Sequence, residues 1–127
     1  FDEHKGVQKV ISDINSKYKS TAALWQRDNS PEGFQWLVGD DGAANIIAYV
    51  RWSDEGKPLI SVTNWSPVPH ERYRMYFAKA GKYKEVLNTD DLKYGGSGVA
   101  NGTIEVGEDC HGTLRIPPMA TIWLELA

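Results

Sequence analysis

The chain has 127 residues with 14 Lys+Arg against 17 Asp+Glu, a formal net charge of −3. That length holds one domain with a sizeable core but not two. The interspersed charges build no broad positive field, which disfavours nucleic acid as a partner.

The single cysteine, Cys110, cannot form an intramolecular disulfide. CxxC or HxxxH spacing around it and His111 is missing, so no metal and no cofactor is expected. No apolar run approaches the roughly 20 residues that span a bilayer. The opening "FDEHKG" lacks both signal-peptide architecture and an initiator methionine. The expectation is a cytoplasmic protein with no membrane partner, and a piece of a longer chain. The sequons Asn64-Trp65-Ser66 and Asn101-Gly102-Thr103 matter only in a secreted protein, and chance occurrence explains them better.

From Lys5 to Lys19, Val7, Val10, Ile11, Ile14 and Tyr18 recur at spacings of three and four, the pattern of a helix with one apolar face. That face must pack on something, and the polar Gln8, Lys9, Ser12, Asp13, Ser16 and Lys17 should meet water. Helical periodicity gives way between Ser20 and Asn29.

Beyond it the period is two, and turn residues recur every eight to twelve positions, as in a sandwich or barrel. "FQWLV" (34–38) stops at "GDDG", and "NIIAYVRW" (45–52) stops at "SDEGKP". "LISVTNW" (59–65), "RYRMYF" (72–77), "YKEVLN" (83–88), "TIEV", "GTLRI" and "ATIWLEL" follow. The connections are too short for parallel crossovers. The reading is all-β: an antiparallel β-sandwich of about eight strands preceded by one N-terminal α-helix. Alternation points Ile122, Leu124 and Leu126 inward, opposite Thr121, Trp123 and Glu125. Tyr73, Met75 and Phe77 alternate likewise with Arg72, Arg74 and Tyr76.

Four glycines in "KYGGSGVANG" (93–102) mark a place where backbone approaches something closely. A dinucleotide fingerprint needs a helix after the glycines, but "GTIEVG" reads as a strand. No P-loop lysine is present. His4, His70 and His111 sit in unrelated contexts, and nothing marks a base for Ser97. The carboxylate pairs Asp40-Asp41, Asp90-Asp91 and Glu108-Asp109 could serve a retaining glycosidase at a separation of about 5 Å, but adjacent acids in turns are more often solvated turn formers. Five tryptophans, Trp25, Trp36, Trp52, Trp65 and Trp123, could form a sugar-stacking platform or simply pack in a core.

Residues 64–102, "NWSPVPHERYRMYFAKAGKYKEVLNTDDLKYGGSGVANG", resemble the C-terminal domain of bacterial 1,4-α-glucan (glycogen) branching enzymes. The family's pattern there is N-F-[ST]-P-V-P, Y-R, G-x-[YW]-x-E-[VI]-L-N-[ST]-D and Y-G-G-S-G. "HKGVQKVISDINSKYK", "DNSPEGFQWLVGDDGAANIIAYVRW" and "LRIPPMATIWLEL" extend the resemblance over nearly the whole chain. Trp65 stands where the family has Phe, Ala100 precedes Asn101 where many members have Gly, and "MYFAKAG" is looser than the family's "GVPxxG".

The resemblance implies a non-catalytic domain of an α-amylase-superfamily transferase of glycogen biosynthesis. The parent is a glycosyltransferase that cuts α-1,4 bonds and forms α-1,6 branch points by a retaining mechanism. Its catalytic carboxylates lie on barrel strands upstream of Phe1, so no catalytic residue is carried over and this chain should be inactive alone. Residues 1–24 correspond to the last helix of the barrel plus a linker, and 25–127 to the C-terminal β-sandwich; without the barrel, Val7, Ile11 and Ile14 are expected to be left partly exposed, or the helix re-docked or frayed. The implied partners are the barrel of the same polypeptide and α-glucan such as glycogen or maltooligosaccharide. The residues implied for barrel or glucan contact are Trp65, Tyr94, Gly95, Gly96, Ser97 and Gly98, and without the barrel the loop from Tyr94 to Gly98 is expected to be exposed and mobile. An autonomous α-glucan-binding module is the alternative.

Overall fold

The computed structural model describes residues 2–27, 31–41 and 45–127, and the side chains of 2–4 and 39–41 fall outside the description. The strand expected to stop at "GDDG" instead runs on through Asp41, while Gly42 of that stretch, the side chains of the Asp40-Asp41 pair and that of His4 lie outside the described residues.

The helix α1 spans Asp2–Ser20, and eight strands follow: β1 (Phe34–Asp41), β2 (Ile46–Trp52), β3 (Pro58–Asn64), β4 (His70–Tyr76), β5 (Gly81–Asn88), β6 (Thr103–Val106), β7 (His111–Ile116) and β8 (Ala120–Leu126). Each strand overlaps one read from period-two patterning. Short 3-10 turns at Ala22–Leu24, Pro31–Gly33 and Leu92–Tyr94 were not visible in that patterning.

Six strands form one sheet in the order β1-β2-β3-β8-β5-β6, and β4 pairs with β7 in a second. Every pairing is antiparallel. The core lies between the sheets, where Ile46, Ala48 and Val50 of β2, Ile60 and Val62 of β3, and Ile122 and Leu124 of β8 meet Met75, Phe77, Leu114 and Ile116. The alternation expected for β4 and β8 holds: Met75, Ile122 and Leu124 are buried, whereas Arg72, Arg74 and Tyr76 are exposed. Leu126 is only half-buried because it lies near the rim, opposite Tyr83. Tyr83 is the largest fully buried side chain, and its hydroxyl donates to the Lys79 carbonyl at 2.8 Å. A buried phenol commonly needs such a partner.

None of the described side chains of α1 belongs to this core cluster. The sandwich closes without the helix, which docks outside it against the Leu92–Tyr94 and Ala22–Leu24 turns.

Candidate functional site

Cross-strand register brings Ile46, Asn64 and Ala120 into one row at one end of the six-stranded sheet, with Asn88 paired to nearby Ile122. The loops carrying all six resemblance-derived contact residues leave from this end: 65–69 after β3, 89–102 after β5 and 117–119 before β8. They are tied to one another. Thr89 N–H donates to the Thr121 carbonyl and Met119 N–H to that of Ser66. The Asn64 side-chain amide donates to the Val68 and Pro117 carbonyls, and its oxygen accepts from Ser66 N–H.

The glycine loop is organised by Asp90, which is only 7% exposed. Its carboxylate accepts from Ser97 N–H at 3.0 Å, Ser97 Oγ at 2.7 Å and Val99 N–H at 2.9 Å. Its carbonyl accepts from Gly98 N–H at 2.8 Å. A carboxylate with several acceptor sites suits such a converging set of donors. Gly96 is required by this turn, since a Cβ there would stand 2.5 Å from Asp90 Cα and closer still to its carbonyl. Asp91 caps the Leu92–Tyr94 turn by accepting from Lys93 N–H at 3.0 Å, and Gly95 closes it in the left-handed region at φ 86°.

The glycines therefore fold the loop onto Asp90. The loop is internally hydrogen-bonded, with Gly95, Ser97 and Gly98 exposed. Ser97 is held as a donor to a carboxylate, and among the described residues no histidine bonds its hydroxyl to activate it.

Helix α1 meets this loop through Gly6, whose Cβ, were there one, would lie 2.9 Å from the Tyr94 carbonyl carbon. The Tyr94 hydroxyl donates to Asp13 Oδ2, and Lys93 Nζ stands 3.9 Å from the same oxygen. Burial and then the Asp13 carboxylate push the Tyr94 phenol well above its ordinary range.

Val7, Ile11 and Tyr18 are exposed, the first two at 57% and 53%, in line with an apolar face that has no barrel to cover it. The least exposed positions of the helix are Gly6 and then Val10, Asp13, Ile14 and Lys17, so the docked face mixes apolar and polar residues. Asp13, Ser16, Lys17 and Ser20 line a groove with Val86, Leu87, Lys93 and Tyr94.

Asn101 is a second clasp. Its side chain donates to the Arg115 carbonyl at 2.7 Å and accepts from Arg115 N–H at 2.8 Å, taking the place of a neighbouring strand beside β7. Glu85 accepts from Asn101 and Asn88 and so links β5 to this clasp. Both sequon asparagines thus already commit their side-chain nitrogens to hydrogen bonds.

Trp65 is 62% exposed, and with Met119 it flanks a shallow cavity of about 160 Å³ lined also by Asn64, Thr89 and Thr121. A separate aromatic cluster occupies the outer face of β1 and β2, where Phe34 and Tyr49 rings lie 5.2 Å apart and Trp36 packs edge-on to both. Trp36 keeps 58% of its surface exposed. Trp52 packs at the core margin, and Trp123 is half-buried.

The Glu108-Asp109 pair lies in a turn. Asp109 bonds Arg74 at 2.8 Å and accepts from His111 N–H. That backbone hydrogen bond, with Arg74 assisting, lowers its pKa. Among the described residues no group of three His, Cys, Asp or Glu could hold a metal, and no helix is long and apolar enough to cross a membrane.

Gly6, Asp13 and Asp90 were not singled out as site residues by sequence reasoning. Tyr94 sits 81 positions from Asp13 and carries no local mark of that contact. The one available signal for Asp90 was its place just before a loop with glycines and a serine.

Residues 36–127 match the family described as the alpha-amylase C-terminal all-beta domain. The chain is 44% identical over 96% of its length to the 1,4-alpha-glucan branching enzyme GlgB of Pseudomonas syringae pv. tomato, of which it covers 17%. It is 38% identical over 98% of its length to the enzyme of that name from Thermobifida fusca, of which it covers 18%. The chain thus spans less than a fifth of the length of these relatives. A crystal structure of alpha-amylase from H. orenii superposes on 87% of the chain with a TM-score of 0.51, at 16% identity and over 18% of that protein. That likeness concerns the fold.

Proposed function

From the premise that the chain belongs to the family of alpha-amylase C-terminal all-beta domains, we propose that it is the non-catalytic C-terminal region of a cytoplasmic 1,4-α-glucan branching enzyme. Residues 1–24 are the last barrel helix and its linker, and 25–127 are the sandwich that stabilises the barrel and guides glucan toward it. The observation that carries this reading is the exposure of Val7, Ile11 and Tyr18 along one side of α1. Val7 and Ile11 are a little over half exposed, and burying the rest of each against a partner would contribute about 1 kcal/mol or more. A barrel in the same polypeptide is the partner that the relatives' greater length allows.

Branch formation by the parent runs through a retaining displacement that needs a carboxylate nucleophile and a carboxyl acid/base. Here Asp90 and Asp91 hold backbone amides and Asp109 holds Arg74, so those acids have structural work. The chemistry then belongs to the remainder of the polypeptide. Incubated with amylose, the isolated chain should leave the iodine-stained absorbance unchanged; a measurable fall from branching would overturn the reading.

The Phe34, Trp36 and Tyr49 cluster favours a second reading, an autonomous α-glucan-binding module, because exposed aromatic faces stack on sugar rings. Titration of maltoheptaose should then shift the Trp36 indole signal saturably. A flat response up to millimolar sugar sinks this second reading and leaves the structural role.

A further inference from the structure

Asp13, Ser16, Lys17 and Ser20, spaced three, one and three apart on one helix face, line a groove of about 260 Å³ between α1 and β5. Val86 and Leu87 provide an apolar floor, and Tyr94 closes one end with its hydroxyl on Asp13.

We propose that this groove is an α-glucan subsite that takes a single glucosyl unit or the maltosyl end of a chain. The inference rests on the reading that the parent handles α-glucan, and it assigns a place for that ligand which the exposed tryptophans do not supply.

The size fits. Drug-sized ligands occupy pockets of about 300–1,000 Å³, so a groove somewhat below that range suits a smaller molecule. The chemistry fits as well, because a sugar ring presents an apolar face and a rim of hydroxyls that both donate and accept. The Lys17 ammonium is a pure donor, the Ser16 hydroxyl can do either, and Ser20 Oγ donates to the Lys17 carbonyl while keeping its lone pairs available. An anion fits less well, since the Asp13 carboxylate forms part of the wall and is already served by Tyr94 and Lys93.

The test is a titration of maltotriose into the isotopically labelled chain, following backbone amides. Lys17, Val86 and Leu87 should move saturably. The double variant Ser16→Ala with Lys17→Ala leaves the Asp13–Tyr94 contact in place, and its apparent affinity at these amides should fall by at least about tenfold. Trp36→Ala should leave the groove response as it was.

Groove amides that stay silent, or shifts that persist unchanged in the double variant, overturn the subsite. If only the Trp36 indole responds, glucan binding survives and the groove does not. A response to inorganic phosphate but not to maltotriose makes this an anion site and overturns the glucan assignment. None of these outcomes touches the amylose assay, so the subsite and the branching-enzyme reading fail independently.

Discussion

Replacing Asp90 by Asn tests the central claim that a buried carboxylate, rather than the glycines themselves, builds the 90–99 loop. The side chains are nearly equal in volume, so packing is preserved and only hydrogen-bond polarity changes. Three donors converge on the carboxylate: Ser97 N–H, Ser97 Oγ and Val99 N–H. An amide can accept at one oxygen only, so in either orientation its NH₂ faces a backbone N–H that then lacks an acceptor. The Ser97 hydroxyl can rotate and accept. An unsatisfied buried donor costs about 1–3 kcal/mol, and the other bonds also lose charge assistance, so Asp90→Asn should destabilise by about 2 kcal/mol. For a chain of this length that corresponds to a fall in Tm of roughly 6–10 °C. Thermal and guanidinium unfolding read the total. Amide hydrogen exchange places it, with Ser97 and Val99 losing protection first. Ser97→Ala removes one bond and leaves no orphaned backbone donor, so it should cost about 1 kcal/mol. If Asp90→Asn unfolds within about 0.5 kcal/mol of the parent, or protection at 97 and 99 is unchanged, the hub assignment is wrong.

Gly6→Ala would normally favour a helix by about 1 kcal/mol. Here the added methyl meets the Tyr94 backbone, so α1 must withdraw; the expected result is faster exchange across 92–95 and in α1, with core stability unchanged, and a gain in helix protection would refute the docking. Stability should also depend on alkaline pH. Burial raises the Tyr83 phenol, and burial with Asp13 raises that of Tyr94, both above the unfolded value of about 10. A raised folded pKa means that this contribution is fully present below about pH 10 and is lost as pH climbs from there toward the folded values. Urea midpoints should therefore hold level to about pH 9 and decline by about pH 11, with Tyr83→Phe removing part of the fall; midpoints level throughout would refute the assignment.

Period-two alternation is a property of each strand alone, which is why all eight strands were legible. Met75 and Phe77 are inward because their neighbours Arg74 and Tyr76 are outward, and the sequence records both. Their sorting into sheets was not legible, since β4 and β7 pair apart from the other six through contacts between distant residues. The candidate site divides in the same way. Tyr94 to Gly98 were visible as a motif, but their closure on Asp90 was not, and the apolar stripe of α1 gave the helix without saying which side would dock.

By itself the sequence determined the all-β class, the leading helix and the family, because these rest on local periodicity and on motifs in order along the chain. Only the structure decided that the glycine loop folds onto Asp90, and which face of α1 docks. The first is local in sequence, from Asp90 to Ser97 and Val99, but rests on backbone amides converging on one carboxylate, which residue identities alone do not record. The second depends on which surfaces meet: its energy belongs to pairs such as Asp13 and Tyr94, 81 residues apart, and no window along the chain contains them.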